Sequence, residues 1–328
     1  MNKKQLAGLI IAAVAFVIVS GSSILMNAMT ESMSPQTKVL DTLLGGTSVS
    51  VPLSPYVGIV TVSGTIQSGA SDSLLETVSY DHTFTLDLID TYEASTSNKG
   101  ILLYVDSPGG SVYASDELYL RLQEYSENTG RPVWTYMGSM AASGGYYIAM
   151  ASDEVVANRN TWTGSIGVVM SFLNYKELAD ELGVKMVYFT SGRNKSMGAA
   201  TEELTPEQQQ IFQSMIDEPY EQFVEIVAEG RGLDIATVKP LADGRIYTAK
   251  QALDANLIDA VEPYEDTLNR MEAAIGEYVE FYEPERSTIT LSSLFSSIND
   301  IKRTDAERMM DLFGGMESGV PMYVYNGQ

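Results

Sequence analysis

The sequence predicts an α/β protein with a parallel β-sheet core and flanking helices, preceded by one transmembrane helix. Apolar or β-branched runs typical of buried strands recur at 58–62, 101–105, 132–137, 154–157 and 185–189. Helical patterns separate several of these runs, and strands that alternate with helices indicate a parallel sheet. The chain has 328 residues and is 45% hydrophobic, which is enough to fill a large core.

The predicted helices lie between and after the strands. An apolar cluster from Phe84 to Tyr92 fits a helix better than a strand. The strand at 132–137 is predicted to end in a turn at Gly138, with a helix beginning near Ser143. Further helical patterns pass through Leu118, Leu122 and Tyr125, run from Thr205-Pro206 to about Glu229, and cover 249–255. A short final strand is predicted at 278–282.

Composition divides the chain into four segments. Residues 1–29 are predicted to be a membrane anchor, and residues 30–55, rich in Ser, Thr and Pro, a linker. Residues 56–285 hold the α/β domain. Residues 286–328 form a separate Ser-rich, weakly amphipathic tail.

The anchor is predicted from an apolar span that is just long enough to cross a bilayer of about 30 Å. Lys3 and Lys4 precede the span, and no basic residue follows until Lys38, so the N-terminus is expected in the cytoplasm. The alternative is a cleaved signal peptide, because the first apolar block alone has the length of one. In either case the domain is expected to lie outside the cytoplasm.

The composition excludes several kinds of site. There is no cysteine and His82 is the single histidine, which excludes disulfides, thiolate metal sites and zinc sites built on paired histidines. We expect neither a metal nor another cofactor. The formal net charge is -23, and such a surface repels phosphate backbones, so nucleic acid is not an expected partner.

The segment Gly138–Tyr147 is the best candidate for holding a nucleophile. A strand precedes it, its small residues permit a tight turn, and Ser143 falls at a helix N-terminus. Free N–H groups there can stabilise an oxyanion. The alternative is an ordinary helix cap, a common role for serine. Apolar residues nearby suggest pockets for hydrophobic peptides, or simply core: Met140, Tyr146, Val168 and Met170.

The turn Asp106-Ser107-Pro108-Gly109-Gly110 follows another predicted strand. Two glycines let backbone N–H groups point at a ligand without Cβ interference, as an oxyanion hole requires. An ordinary strand-to-helix turn is the alternative. The oxyanion-hole interpretation is favoured because this turn and Ser143 follow two strands of one predicted sheet.

A serine nucleophile needs a base, and a Ser-His triad would have to use His82, the single histidine. A lysine is the other candidate base. Lys195 lies in the Gly/Ser-rich loop 191–198, and a lysine amine accepts a proton only when it is neutral, a form that burial favours. Ser165, in Thr163-Gly164-Ser165-Ile166-Gly167, could supply a hydroxyl that holds the amine. From the residues alone, Lys195 is only modestly better than Lys176, because most loop lysines are solvated.

Taken together, these motifs resemble the half-length signal peptide peptidase A family, membrane-bound serine proteases of the ClpP/crotonase superfamily. The resemblance covers about 58–264, and its ordered motifs include Gly58–Gly64, Val105–Gly110, Ala142–Tyr147, Thr163–Gly167, Ser191–Gly198 and Gly244–Ala249.

The resemblance implies a role for each candidate residue. Ser143 would be the nucleophile, Lys195 the general base and Ser165 the hydroxyl that positions the lysine, while Gly110 and Gly144 donate N–H groups to the oxyanion. It also implies degradation of remnant signal peptides at the membrane by a homo-oligomeric ring, an octamer. The lysine could come from the same chain or from a neighbour.

Two rival functions fit parts of the sequence. A crotonase-like enzyme acting on an acyl-CoA shares the fold and the glycine-rich turn, but an extracytoplasmic location would deny it coenzyme A. A non-catalytic membrane scaffold could keep the fold, but it has no use for Ser143, Lys195 and Ser165 together. A fluorophosphonate probe would label an activated serine and neither rival.

The apolar, β-prone hexamer Val320–Tyr325 ends an otherwise polar tail and follows a Gly314-Gly315 hinge. A buried final strand is one interpretation. The other is that the hexamer binds as an added strand in the substrate groove of its own or a neighbouring chain and restrains activity.

Overall fold

The structure, a computed structural model, describes residues 49–68, 80–284 and 322–324. Its strands are β1 Tyr56–Ser63, β2 Asn98–Ser107, β3 Gly109–Ser111, β4 Val133–Ala142, β5 Glu154–Ala157, β6 Trp162–Gly164, β7 Ile246–Thr248, β8 Ala260–Val261, β9 Glu280–Tyr282 and β10 Met322–Val324. Its α-helices are α1 His82–Ala94, α2 Val112–Thr129, α3 Gly144–Ala149, α4 Lys176–Glu181, α5 Pro206–Arg231, α6 Ile235–Val238, α7 Ala249–Asp254 and α8 Tyr264–Ile275. A 3₁₀ turn covers Lys239–Leu241.

The predicted α/β class with a parallel core is confirmed. The main sheet has the order β7-β6-β4-β2-β1-β9, with β5 beside β4 and β8 beside β5. Every pairing in this sheet is parallel except β6 with β7. A second, two-stranded antiparallel sheet joins β3 to β10.

Both faces of the main sheet are covered, which explains why its strands read as continuous apolar runs. On one face Val57, Leu102, Trp134 and Val156 pack with Met271 of α8. On the other face α1 lies against β1 so closely that the Tyr92 ring occupies the space of a Gly58 side chain. The glycine therefore permits this contact between helix and sheet.

The helix boundaries follow local chemistry. Helix α5 begins with a capping box in which Thr205 and Gln208 exchange side-chain-to-backbone hydrogen bonds, with Pro206 in the first turn. The predicted start at Thr205-Pro206 is confirmed. Helix α2 ends at Gly130, whose positive φ of 65° makes the left-handed C-terminal turn.

Strand β4 corrects one prediction, the turn at Gly138. The strand runs on to Ala142 and changes neighbours, pairing with β5 over 134–137 and with β6 over 140–142. The Tyr104 hydroxyl lies 2.8 Å from the position that a Cβ on Gly138 would take. The glycine therefore serves a close approach between strands rather than a turn.

The strand predicted at 185–189 is also wrong. The segment makes no ladder with any described strand, and its apolar side chains face outward, Phe189 with 97% of its surface exposed. Helix α8 was not predicted, although Tyr264, Leu268, Met271 and Ile275 recur at helical spacing.

The predicted anchor at 1–29 lies outside the described residues, as do most of the linker and of the tail. Among the residues that the structure does describe, no helix is both long and apolar enough to cross a membrane.

An ion pair fixes the end of α5 to the loop before β8. The Arg231 guanidinium, 8% exposed, donates to both carboxylate oxygens of Asp259 at 2.6 and 2.8 Å. Burial alone would raise the pKa of Asp259, but the hydrogen bonds from Arg231 and from the Val155 N–H lower it below its ordinary value.

Asp259→Asn is expected to lower the free energy of unfolding at pH 7 by about 3 kcal/mol, because it leaves a buried guanidinium without its carboxylate. The carboxylate stabilises the folded state above its unfolded pKa of about 3.9 and stops doing so as pH falls through the lower folded pKa. Urea unfolding should therefore show a smaller difference between variant and wild type at pH 3 than at pH 7. Equal stability at pH 7 would contradict this.

Candidate active site

Ser143 lies at a sharp turn between β4 and α3. Its backbone has φ 52° and ψ −115°, a conformation that is costly for a residue with a side chain. Two hydrogen bonds hold it: the Ser143 N–H donates to the Gly164 carbonyl at 2.7 Å, and its carbonyl accepts from the Tyr147 N–H at 2.8 Å. Strained strand-to-helix turns of this kind present nucleophilic serines in other hydrolase folds.

The Ser143 side chain is buried, with 1% of its surface exposed, and its Oγ has no hydrogen-bond partner among the described residues. It also makes no capping bond to α3. A buried hydroxyl without a partner is uncommon in a folded protein and calls for an explanation. The helix-cap interpretation of this serine is therefore wrong.

Ser165 is brought next to this turn. Gly164, the residue before it, pairs with Ala142 across β4 and β6. Ser165 also has a positive φ of 51°, and its N–H donates to the Arg245 carbonyl at 2.8 Å. The two serines thus follow directly on neighbouring strands.

The two predicted oxyanion donors lie side by side. A Cβ placed on Gly144 would lie 3.1 Å from the Gly110 nitrogen and 2.5 Å from the Ser115 Oγ. A Cβ on Gly109, whose φ is 102°, would lie 2.6 Å from the Gly144 nitrogen. Backbone crowding of this degree requires glycine, and it brings the N–H-bearing atoms of two elements to one place.

The Ser143 hydroxyl makes no hydrogen bond to Lys195 in the described part of the chain. Lys195 lies in the segment between Ile166 and α5, residues 168–204, which we call the arm. Its side chain is exposed and lines a cavity of about 540 Å³ with Phe172, Tyr188 and Phe212. Ser143 and Ser165 are not part of that cavity, and no hydrogen bond among the described residues joins them to Lys195.

Strand β10 of the tail lies against the glycine turn. It pairs antiparallel with β3, with Tyr323 opposite Gly110. The Tyr323 carbonyl oxygen lies 3.1 Å from the position of a Gly144 Cβ, and it would overlap a Cβ on Gly109. A peptide carbonyl thus lies beside Gly109 and Gly144, and Gly144 carries one of the two predicted oxyanion donors.

The Tyr323 ring is buried between α3 and α5. It stacks on the Tyr147 ring at 4.8 Å between centroids and contacts the Phe223 ring at the same distance. Its hydroxyl donates to the Pro219 carbonyl at 2.8 Å. Tyr146, a candidate for a peptide pocket in the sequence, is instead in the core, where its hydroxyl donates to the Leu257 carbonyl.

Polar groups hold the wall of the pocket around the Tyr323 ring. The Tyr147 hydroxyl donates to Asp116 at 2.5 Å, and the Gln222 amide donates to both groups at 2.8 Å. Burial, together with the Asp116 carboxylate, raises the pKa of Tyr147, so the phenol stays protonated and neutral. Sequence reasoning missed Tyr147, Phe223, Asp116 and Gln222, because the fold alone brings α2, α3 and α5 together.

A buried, strained serine beside paired glycine N–H groups, on a parallel α/β sheet, defines the class of Clp-type serine peptidases. The family model described as Clp protease matches residues 79–162, and the one described as Peptidase family S49 matches residues 126–276. The putative signal peptide peptidase SppA of Enterococcus faecium is 33% identical over 82% of this chain and 80% of its own length.

Two further relatives are similar over smaller shares. A putative protease of Synechocystis is 43% identical over 51% of this chain and 59% of its own length. Protease 4 of Haemophilus influenzae is 33% identical over 79% of this chain and 42% of its own length. The chain belongs to peptidase family S49, and it is a serine-type peptidase.

Gly144→Ala is expected to lower kcat/KM on a peptide substrate by about 100-fold or more, because the added methyl group would push apart the two predicted oxyanion donors. The global fold should survive, since the change lies at one helix end. Peptide hydrolysis and circular dichroism of the full chain would check both statements. Activity within threefold of wild type would argue against an oxyanion site here.

Proposed function

We propose that this chain is a membrane-anchored serine endopeptidase with a Ser143/Lys195 catalytic pair. It degrades remnant signal peptides and other hydrophobic peptides outside the cytoplasm. The proposal is supported by the position of the Tyr323 carbonyl oxygen beside Gly109 and Gly144, in a strand that pairs Tyr323 with Gly110. The residue before Gly144 is Ser143, whose buried hydroxyl has no partner among the described residues. An extended peptide in this place favours a peptide substrate over an acyl-CoA.

In the proposed mechanism, the neutral Lys195 amine takes the proton of the Ser143 hydroxyl as Oγ attacks the scissile carbonyl. The N–H groups of Gly110 and Gly144 stabilise the oxyanion of the tetrahedral intermediate. The peptide C–N bond then breaks, the lysine returns the proton to the leaving amine, and an acyl-enzyme remains. Water activated by the same lysine hydrolyses the ester. Ser165 positions the amine.

We further propose that Lys195 reaches Ser143 of a second copy, in a ring that the family resemblance implies to be an octamer. The support is the arm itself, which exposes large apolar side chains: Leu173, Leu178, Leu182, Val184, Met186, Val187 and Phe189. A cluster of exposed apolar residues is typical of a protein–protein interface. Lys195, on the same arm, would be buried as the arm packs against a neighbour.

Ser143→Ala and Lys195→Ala are each expected to abolish peptide hydrolysis. Lys195→Arg should do the same, because a guanidinium does not release its proton at working pH. Assembling the two alanine variants together at equal amounts should restore activity, since one copy supplies the serine and the other the lysine. With random mixing in a closed ring, about a quarter of the sites would regain both residues.

The control is each variant mixed with itself, which should stay inactive. A mixture that remains inactive although mass spectrometry detects mixed rings would place both residues in one chain. Turnover by Lys195→Ala alone would remove lysine from the mechanism altogether.

The tail is proposed to restrain the enzyme. Strand β10 would take the place of a substrate strand: it pairs with β3, and the fully buried Tyr323 ring packs against Tyr147 and Phe223. A tethered segment competes with substrate at an effective concentration of about 1 mM, so even a weak intrinsic affinity is enough for inhibition.

Truncation after Glu285 is expected to raise kcat/KM on a short peptide several-fold without unfolding the core. Tyr323→Ala should act in the same direction, because it removes the side chain that anchors β10. Tyr278→Ala, at a tyrosine that is 83% exposed, is the matched control and should leave activity unchanged. If neither the truncation nor Tyr323→Ala raises activity, the tail is not an inhibitor.

A further inference from the structure

A second cavity, of about 380 Å³, opens beside the point where β4 changes neighbours. We call it the tyrosine pocket, and its lining residues are Tyr104, Tyr136, Gly138, Ser139, Asn158, Asn160 and Tyr264. It is separate from the pocket that holds Tyr323. Gly138, in β4, lies five residues before Ser143. An extended chain of five residues spans at most roughly 18 Å, so the tyrosine pocket lies within that distance of the candidate nucleophile.

Three aromatic rings form the wall of the tyrosine pocket. Tyr104 and Tyr136 are stacked, with centroids 6.1 Å apart and an interplanar angle of 22°. The Tyr264 ring stands at 87° to Tyr104 and at 65° to Tyr136. Tyr136 is buried, whereas the other two rings are partly exposed to the cavity. Ring faces at right angles around an opening attract a cation, because each face carries negative charge density.

Two carboxylates border these rings. Asp106 accepts hydrogen bonds from the Ser139 hydroxyl at 2.6 Å and from the Met140 N–H at 3.1 Å, both through Oδ1. Glu283 accepts one from the Thr61 hydroxyl. Within the described part of the chain, neither carboxylate has a basic partner, whereas nearby Glu262 is paired with Arg270.

The carboxylates act on the phenols as well. Burial, followed by the negative charge of Glu283, raises the pKa of Tyr264 to about 12. Burial and the Asp106 charge raise that of Tyr104. The phenols of Tyr104 and Tyr264 therefore stay neutral. The pocket presents ring faces and carboxamides, and the carboxylates of Asp106 and Glu283 lie close enough to act on two of its rings.

We propose that the tyrosine pocket is a subsite for a basic side chain, lysine or arginine, of a peptide substrate bound at Ser143. The inference rests on the proposed action on signal peptides, whose N-terminal region carries positive charge ahead of an apolar stretch. The apolar stretch of the peptide would bind along β3, where β10 now pairs, and the basic residue would lie several residues away against the tyrosines. This arrangement selects peptides that carry both an apolar stretch and a basic residue.

The test measures binding rather than turnover, so that its result does not depend on the catalytic assignment. Full-length protein carrying Ser143→Ala is titrated into two fluorescent peptides with one apolar core. One peptide has two lysines before the core, and the other has acetyl-lysines, which lack the charge. The lysine peptide is expected to bind about 5- to 30-fold more tightly than the acetylated peptide, which is the effect of one partly desolvated cation–π contact.

Tyr264→Leu and Glu283→Gln, each added to Ser143→Ala, should bring the affinity ratio of the two peptides close to one. Affinity for the acetylated peptide should not change. Tyr278→Leu is the matched control, an exposed tyrosine outside the pocket, and should keep the full ratio.

An affinity ratio that persists in both pocket variants would assign the preference to the overall charge of -23 and overturn the proposal. Equal binding of the two peptides to the protein carrying Ser143→Ala alone would also overturn it. Competition by a neutral oligosaccharide would assign the pocket to a sugar instead.

Whether Ser143→Ala abolishes hydrolysis tests the proposed catalytic pair and does not affect this binding test.

Discussion

The close approach of two glycine backbones is the constraint on which the candidate site depends. Gly144 at the start of α3 can lie against Gly109 and Gly110 of β3 only because Gly109 and Gly144 carry no side chain. Their contact fixes β3 against α3 and places Ser143 at the turn between sheet and helix. The positive φ of Ser143 is a consequence, held by the Gly164 carbonyl and by the first turn of α3. Because the surrounding pairings determine this turn, its strain can be kept in the folded state.

Much of the fold and part of the site could be predicted from the sequence, because local patterns determine them. The buried strands β1, β2 and β5 follow from apolar runs, and α5 follows from the Thr205-Pro206 start. Ser143, Ser165 and the two glycines follow from small-residue turns after strands. Periodicity and turn chemistry act over a few residues, and these features are of that size.

The features that could not be predicted depend on contacts between distant elements. Gly138 reads as a turn in the sequence, yet it lies within β4 because the Tyr104 hydroxyl approaches it. Residues 185–189 read as a buried strand, but the described chain offers no partner strand for them. The aromatic pocket around Tyr323 joins α3, α5 and the tail, and the tyrosine pocket joins β2, β4 and α8. No local pattern signals either pocket.

The proposed mechanism requires that Ser143 is the nucleophile and that Lys195 activates it. Labelling of the full-length protein with a fluorophosphonate, followed by peptide mass spectrometry to locate the adduct, tests both assignments. We expect one adduct, on Ser143, and its loss in Lys195→Ala. An adduct on another serine, or undiminished labelling of Ser143 in Lys195→Ala, would contradict the mechanism.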